Sequence, residues 1–393
     1  MSLPAPRRCV AIVQRFLPRY RQAFYEQLRV LLAARDVELI LVHSTPPGNP
    51  YGRGDAAHIA WAIDVPAREV TLLGQTALWQ PLAPQLRTAD LVIVEQASRL
   101  LLNYVLLLRQ LLRRRRVAFW GHGRSFHDQE PSAGPRERLK RWVSRHVHWW
   151  FAYNDLTAEV VRDFGFPTQR LTVVQNSTDT TSLRRLAGAL TPDAIDQARH
   201  DLGLGNGKVG LFVGNFSAEK QLEFLFAASD HLHRLDPGFS LLLVGEGPER
   251  PLVERLAGAR EHVRFVGSRF DAELARCFAV ADALLIPGWA GLVVVDAFAA
   301  GVPVVASASF PHPPEISYVV SGGNGVLVDD DADPSLYAER VHRLLHDPEE
   351  HAALVAGCAT AAEVYSTEAM AARFADGILA ALDTPLRRPT GRL

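Results

Sequence analysis

Short apolar runs alternate along the chain with longer stretches of helical periodicity. That alternation predicts a mainly parallel sheet covered by helices, because a strand buried on both faces must be apolar throughout. Val10 to Gln14 reads as a first strand and Arg21 to Ala34 as the helix after it. Val37 to Val42, Asp90 to Glu95, Val117 to Trp120, Trp149 to Tyr153 and Leu171 to Gln175 continue the strands, with helices at Leu100 to Arg113 and Arg136 to Arg145. After Asn176 the texture changes. Residues 177–208 collect Ser, Thr, Asp, Gly and Pro around one helical stretch, Pro192 to Leu202, which predicts an interdomain linker with a lead-in helix. A second series follows, with strands at Val209 to Val213, Ser240 to Val244, Val263 to Val266, Ala283 to Ile286, Val302 to Ala306 and Gly325 to Val328, and a helix at Pro334 to Leu345. The pattern predicts two Rossmann-like α/β domains with a ligand cleft between them.

The length of 393 residues suits two such domains and exceeds one compact core. Hydrophobic content of 48% and charged content of 22% exclude wholesale disorder, and a net charge of -1 gives no global reason to expect nucleic acid. Cys9, Cys277 and Cys358 stand far apart without C-x-x-C spacing, so neither a zinc site nor a disulfide framework is suggested. The apolar run from Cys9 to Val13 is too short for a signal-peptide core. The longer run Leu100 to Leu108 is interrupted by Asn103. A cytoplasmic location is expected.

Candidate chemistry concentrates in the second half. Gly214-Asn215-Phe216-Ser217-Ala218-Glu219-Lys220 joins a strand to a helix, and a glycine followed by a lysine at a helix start suits a phosphate. A corner with a surface lysine is an equally ordinary source of that pattern. Gly245-Glu246-Gly247-Pro248 reads as a tight turn. The segment from Pro287 to Pro303 runs through a glycine loop, an apolar helix and a glycine into a strand. There Gly291 would turn the N–H groups of Leu292 and Val293 toward a diphosphate, and Asp296 would accept from a ribose diol. Simple helix packing with a surface Asp296 is the alternative, and an acid inside the apolar run Leu292 to Ala300 speaks against it.

The order of GNFSAEK, VGEGPE, VRFVG, PGWAGLVVVDAFAAGVPVVA and PPEISYVVSGGNGVLV resembles the retaining family-four glycosyltransferases of GT-B fold. Trp120-Gly121-His122-Gly123 and Val173 to Asp179 extend the likeness to the first half. The resemblance implies a metal-independent hexosyltransferase. Such an enzyme moves a sugar, with retention, from a nucleotide-diphosphate donor to an acceptor hydroxyl in glycan, polysaccharide, glycolipid or natural-product biosynthesis. It implies a donor domain at 183–365 and an acceptor-side domain at 1–182, joined by the tail helix 366–393. His122, Lys220 and Asp296 would carry the reaction. Gly214, Asn215, Val266, Gly288, Gly291, Leu292 and Val293 would complete the donor site with the last two of those residues. Three departures stand out. The family commonly has arginine where Asn215 stands, and two glutamates where Gly288 and Asp296 stand.

Arg15, Tyr20 and Arg21 follow the first strand and are acceptor-side candidates; Glu315 is a donor-loop or helix-start acid. Asp329, Asp330, Asp331 and Asp333 imitate a metal-binding D-x-D, but their place before a helix predicts a solvated loop and cap, so no metal site is expected. The region 99–150 gathers Arg113 to Arg116, Arg136, Arg138, Lys140, Arg141 and Arg145 near Trp142, Trp149 and Trp150. It suits an anionic membrane or a lipid-linked acceptor, and equally a set of solvated helix faces. Two rivals remain. A non-catalytic sugar-nucleotide-binding partner would tolerate the departures. A nicotinamide dehydrogenase is opposed by the absence of G-x-G-x-x-G at Gln14 to Pro18.

Overall fold

The computed structural model describes residues 8–44, 57–72, 75–112, 115–123 and 135–386. The chain forms two compact units, Met1–Asn176 with Thr367–Leu393, and Ser177–Ser366. The sequence pattern sets these boundaries at 182/183 and 365/366. Residues from Ser177 onward group with the second unit because the stretch read as linker contains a helix, Thr180–Gly188, that packs on other helices there.

In the first unit β1 (Arg8–Val13), α1 (Gln22–Ala33), β2 (Val37–His43) and β3 (Ile63–Asp64) are followed by a hairpin, β4 (Arg68–Leu72) and β5 (Gln75–Trp79). Then come β6 (Leu91–Glu95), α2 (Leu101–Leu111), β7 (Arg116–Gly121), α3 (Pro135–His146), β8 (Trp149–Ala152), α4 (Asp155–Asp163) and β9 (Leu171–Val173). Seven strands make one parallel sheet in the order β3-β2-β1-β6-β7-β8-β9, and β4 and β5 pair antiparallel apart from it. Both faces are covered. Leu28, Trp120, Phe151 and Phe374 belong to one core cluster, and Leu106, Phe119 and Trp150 to another. Adjacent strand residues therefore serve opposite cores, which is why these strands read as unbroken apolar runs. The closing helix, Thr367–Asp383, stacks Phe374 on Phe151 at 4.3 Å.

The second unit opens with α5 (Thr180–Gly188) and α6 (Pro192–Asp201). Its sheet series runs β10 (Val209–Asn215), α7 (Leu222–Leu235), β11 (Ser240–Glu246), α8 (Arg250–Gly258), β12 (Val263–Phe265), α9 (Asp271–Ala279), β13 (Ala283–Leu285), α10 (Val293–Ala299), β14 (Val304–Ser307) and β15 (Gly325–Val328). Helices α11 (Pro334–His346) and α12 (Pro348–Val364) finish it. The six strands are parallel in the order β12-β11-β10-β13-β14-β15. Strand order reverses between β10 and β13, so beyond the carboxyl edge the chain continues from those two strands toward opposite edges of the sheet. Such a switch point is where open α/β sheets bind ligands. The same reversal occurs in the first unit between β1 and β6.

Side-chain caps start α4, α5, α6, α11 and α12. Asn154 accepts from the Thr157 N–H at the start of α4, and Asp333 accepts from Ser335 N–H at 2.8 Å at the start of α11. The acidic run 329–333 departs from the expected solvated loop in one respect. Asp330 is fully buried, and its Oδ1 accepts from the Ser307 and Ser309 hydroxyls, each at 2.8 Å. Polar groups thus replace water at Oδ1, while the buried Oδ2 has no hydrogen-bond partner among the described residues. Among the described residues no group of three or more His, Cys, Asp or Glu could hold a metal ion, and no helix is long and apolar enough to cross a membrane.

Candidate functional site

The second unit's switch point is built by two loops that touch through their backbones. After β10 the chain makes a tight 3₁₀ turn, Ala218–Lys220, and enters α7 through Gln221, whose φ is +56°. After β13 it runs Pro287-Gly288-Trp289-Ala290, with Trp289 at φ +50°. Two non-glycine residues in left-handed conformation on facing loops are strain that the surroundings must hold. Gly288 is what lets the loops meet. A Cβ there would lie 2.4 Å from the Glu219 carbonyl oxygen and 2.8 Å from Gln221 Cγ.

Lys220 folds into this junction. Only 8% exposed, it donates from Nζ to the Trp289 carbonyl at 2.7 Å, and its head lies 3.6 Å from where a Cβ on Gly214 would be. Burial pulls its pKa down to about 8, opposed by the nearby Glu219 carboxylate. An ammonium has three donors, and the Trp289 bond uses one. Asn215 is exposed at the end of β10, paired in register with Glu246. The G-E-G turn beside it is steric in purpose, since a Cβ on Gly245 would lie 1.9 Å from the Gly214 carbonyl oxygen. Val266 sits partly buried just past β12, bonded from its N–H to the Leu243 carbonyl.

Beyond Gly288 the loop is held by residues that the sequence reading did not assign to the site. The Ala290 N–H donates to His312 Nδ1 at 3.0 Å, and His312 Nε2 contacts the Ser307 carbonyl at 2.8 Å. A carbonyl only accepts, so Nε2 carries the proton and the ring is neutral. Burial depresses its pKa, the Ser307 bond opposes this, and Lys220 adds to the depression. The sequence signal was Pro311-His312-Pro313-Pro314, a histidine set in a stiff extended stretch.

Gly291 is open on its Cα side, with only Pro313 Cγ at 3.8 Å from an added Cβ. Leu292 precedes α10 without a side-chain cap, and Val293 is the first helical residue. Asp296 lies farther along that helix, partly buried, and its Oδ1 accepts from the Thr178 hydroxyl. Burial raises its pKa to about 7. The Thr178 bond acts in the opposite direction, and Asp179 raises it further. Gly214, Gly288 and Lys220 are thus brought into one contact, with the Trp289 carbonyl, while Asp296 is tied to Thr178.

In the first unit the expected residues lie at the carboxyl edge of the sheet. Arg15 follows β1 at its switch point and pairs with Glu95 at the end of β6, 3.2 Å apart; burial raises the pKa of Glu95, and Arg15 opposes that. His122 follows β7 and sets its ring edge-on to Tyr153 at 4.2 Å. Tyr20 is partly exposed. Arg21 is buried: its guanidinium donates to Asn176 Oδ1 and to Met370 Sδ, and lies 4.9 Å from the Trp120 ring. Glu315 is buried as well. Of the basic region, Arg113 and Arg114 lie outside the described residues, Trp149 and Trp150 are buried in β8, and Arg138, Arg141, Trp142 and Arg145 are exposed on α3.

A family model described as glycosyl transferases group 1 matches residues 207–347. A D-inositol 3-phosphate glycosyltransferase of Segniliparus rotundus is 34% identical over 212 residues, which is 51% of this chain and 45% of that protein. A GDP-mannose-dependent alpha-(1-6)-phosphatidylinositol monomannoside mannosyltransferase of Mycolicibacterium smegmatis is 32% identical over 199 residues, 47% of this chain and 51% of that one. The chain spans about half the length of the curated relatives it matches. Among solved structures, Anabaena Alr3699/HepE in complex with UDP and glucose superposes with a TM-score of 0.67 at 19% identity, covering 94% of this chain and 99% of that one. Sucrose-phosphate synthase from Thermosynechococcus elongatus gives 0.67 at 19% identity, covering 94% and 98%. These likenesses show the fold, two Rossmann-like domains of GT-B type.

Proposed function

We propose that this chain is a glycosyltransferase that moves a sugar from a nucleotide-diphosphate donor to an acceptor hydroxyl. The observation that carries the reading is Lys220, a buried cation at the β10/β13 switch point of the unit whose sequence matches the glycosyl transferases group 1 model. Burying an ammonium is costly unless an anion compensates it. A diphosphate would do so, taking the two donors that Trp289 leaves. The N–H groups of Leu292 and Val293 would cradle the same phosphates. Thr178 steadies Oδ1 of Asp296, and Oδ2 is the acceptor we assign to the donor's ribose. These fixed dipoles and the Lys220 charge would stabilise the departing diphosphate. His122 would face the reacting sugar, with Arg15 and Tyr20 on the acceptor side.

We assign the reaction to the retaining family four, on the motif order, and expect it to need no metal ion. The acids that imitate D-x-D support this, since Asp330 is buried with Oδ1 held by two serines and Asp333 caps a helix start. The exposed Arg138, Arg141, Trp142 and Arg145 of α3 support a lipid-linked acceptor at an anionic membrane surface. A non-catalytic donor-binding role would need the same phosphate site, so turnover decides between them. UDP-, GDP- and dTDP-sugars should be screened by thermal shift, since a ligand of the native state raises its stability. Release of nucleoside diphosphate should then be measured with acceptor, in excess EDTA. Binding without turnover would favour the non-catalytic role, and turnover abolished by EDTA and restored by Mg²⁺ would overturn the metal-free mechanism.

A further inference from the structure

We propose that His312 is a positioning residue for the donor loop: it clamps the strained Gly288–Ala290 turn in one conformation, and the buried Asp330 in turn holds the segment that carries His312. The proposal deepens the glycosyl-transfer reading and rests on it for its consequence, though not for the clamp itself.

The chain of contacts is continuous. Asp330 Oδ1 accepts from Ser307 Oγ and Ser309 Oγ, each at 2.8 Å, and from the Ala332 N–H at 3.0 Å. The Ser309 N–H donates to Ser307 Oγ at 3.1 Å, so the turn leaving β14 closes on itself. From that turn, the Ser307 carbonyl accepts from His312 Nε2, and His312 Nδ1 accepts from the Ala290 N–H. The neighbouring Trp289 N–H donates to the Pro311 carbonyl at 3.1 Å. Two successive loop amides are thus captured by two successive residues of a stiff, proline-bracketed strap.

The clamp explains the backbone at Trp289. A non-glycine residue at φ +50° relaxes unless its surroundings over-determine it. Here its N–H is tied to Pro311, its carbonyl to Lys220, and the next amide to His312. Only a neutral imidazole with its proton on Nε2 serves both ends, because a protonated ring would present N–H to the Ala290 N–H. His312 touches no substrate in this scheme. It acts through Ala290 and Trp289 on where Lys220 holds the donor diphosphate.

Two variants test it. His312→Phe keeps ring volume and removes both hydrogen bonds, whereas His312→Asn can keep an acceptor near the Nδ1 position. The first readout needs no donor: amide hydrogen exchange of Ala290 in the free protein. Exchange should be slow in the wild type, fast in His312→Phe and intermediate in His312→Asn. Equal protection of Ala290 in wild type and His312→Phe would overturn the clamp whatever the protein's activity. The second readout uses UDP-glucose, GDP-mannose and dTDP-glucose, with UMP, GMP and dTMP as controls lacking the second phosphate. Turnover of the accepted sugar nucleotide should fall about 10- to 100-fold in His312→Phe, with partial recovery in His312→Asn and monophosphate binding retained. Loss of mono- and diphosphate binding together, with a lowered melting temperature, would reduce His312 to a structural residue. A wild type that binds none of these compounds would defeat the glycosyl-transfer reading and leave the exchange result standing.

Discussion

The Thr178 hydroxyl donates to Oδ1 of Asp296 across 2.5 Å, joining the chain just after Asn176 to the helix behind the glycine loop. The bond favours the carboxylate, yet burial outweighs it and lifts the pKa from 3.8 to about 7.

A pH dependence of stability follows. Between pH 3.8 and about 7 the folded protein binds a proton at Asp296 that the unfolded chain does not. Stability from this group is therefore present at low pH and lost as pH rises through that window. Asp296→Asn has no proton to lose and should gain on the wild type by on the order of 1–4 kcal/mol over the window. Denaturant titrations of both proteins at several pH values check this; a constant difference would mean the carboxyl is not raised.

The same substitution tests ribose recognition. Above about pH 7, where Asp296 is ionised, replacing this charged acceptor should lower donor affinity by about tenfold, since hydrogen bonds to charged groups contribute roughly 1.5–3 kcal/mol and the amide keeps part of it. A 2′,3′-dideoxy nucleotide should be nearly indifferent to the change. Equal losses for both nucleotides in calorimetry would show Asp296 acting through the fold.

Lys220 predicts a different pH signature. With its pKa near 8, the free protein sheds this proton as pH rises through that value. A bound diphosphate favours the ammonium and would be accompanied by proton uptake. Donor affinity should be flat below pH 8 and decline above it. Lys220→Met should lose roughly 1.5–3 kcal/mol of donor binding and flatten the decline, with folding intact because an apolar chain suits the buried site. Calorimetry in buffers of different ionisation enthalpy reads the proton directly.

Gly288 separates contact from chemistry. Gly288→Ala places a methyl 2.4 Å from a backbone oxygen, so one loop must move. A loss of about 1–3 kcal/mol in stability is expected. Gly288→Glu should be at least as damaging and should not improve turnover, since a longer side chain meets the same Glu219 carbonyl and Gln221 side chain. A stable, faster Gly288→Glu variant would show that the loops separate readily.

Arg21 carries a structural prediction where the sequence suggested an acceptor contact. Its guanidinium is buried among Asn176, Met370 and Trp120. Arg21→Lys keeps the charge and loses the planar fork, and should cost about 2–4 kcal/mol. Arg15→Lys, at a half-exposed ion pair, should cost under about 1 kcal/mol. Melting curves of the two variants, compared with their acceptor KM values, distinguish anchor from ligand.

Both parallel sheets were legible in the sequence because doubly buried strands must be apolar at every position, and runs such as Leu241 to Val244 leave little else to read. The Gly214–Lys220 corner and the Gly288–Asp296 block were legible for a related reason: in each a glycine-bearing loop separates an apolar strand from a helix. The hairpin β4–β5 was missed because its strands are short and mixed, and helix α5 because the Ser, Thr, Asp and Gly around it read as linker although Asp179 caps its start. Which residues act together was beyond local pattern altogether. Lys220 and Trp289 are 69 positions apart, and His312 and Ala290 are 22 apart. Each pair meets only because β10 lies beside β13 and β13 beside β14 in the sheet order, a non-local arrangement that brings successive carboxyl ends together. The burial of Asp330 has the same origin. An aspartate run reads as solvated until the turn after β14 folds over it and supplies two hydroxyls in place of water.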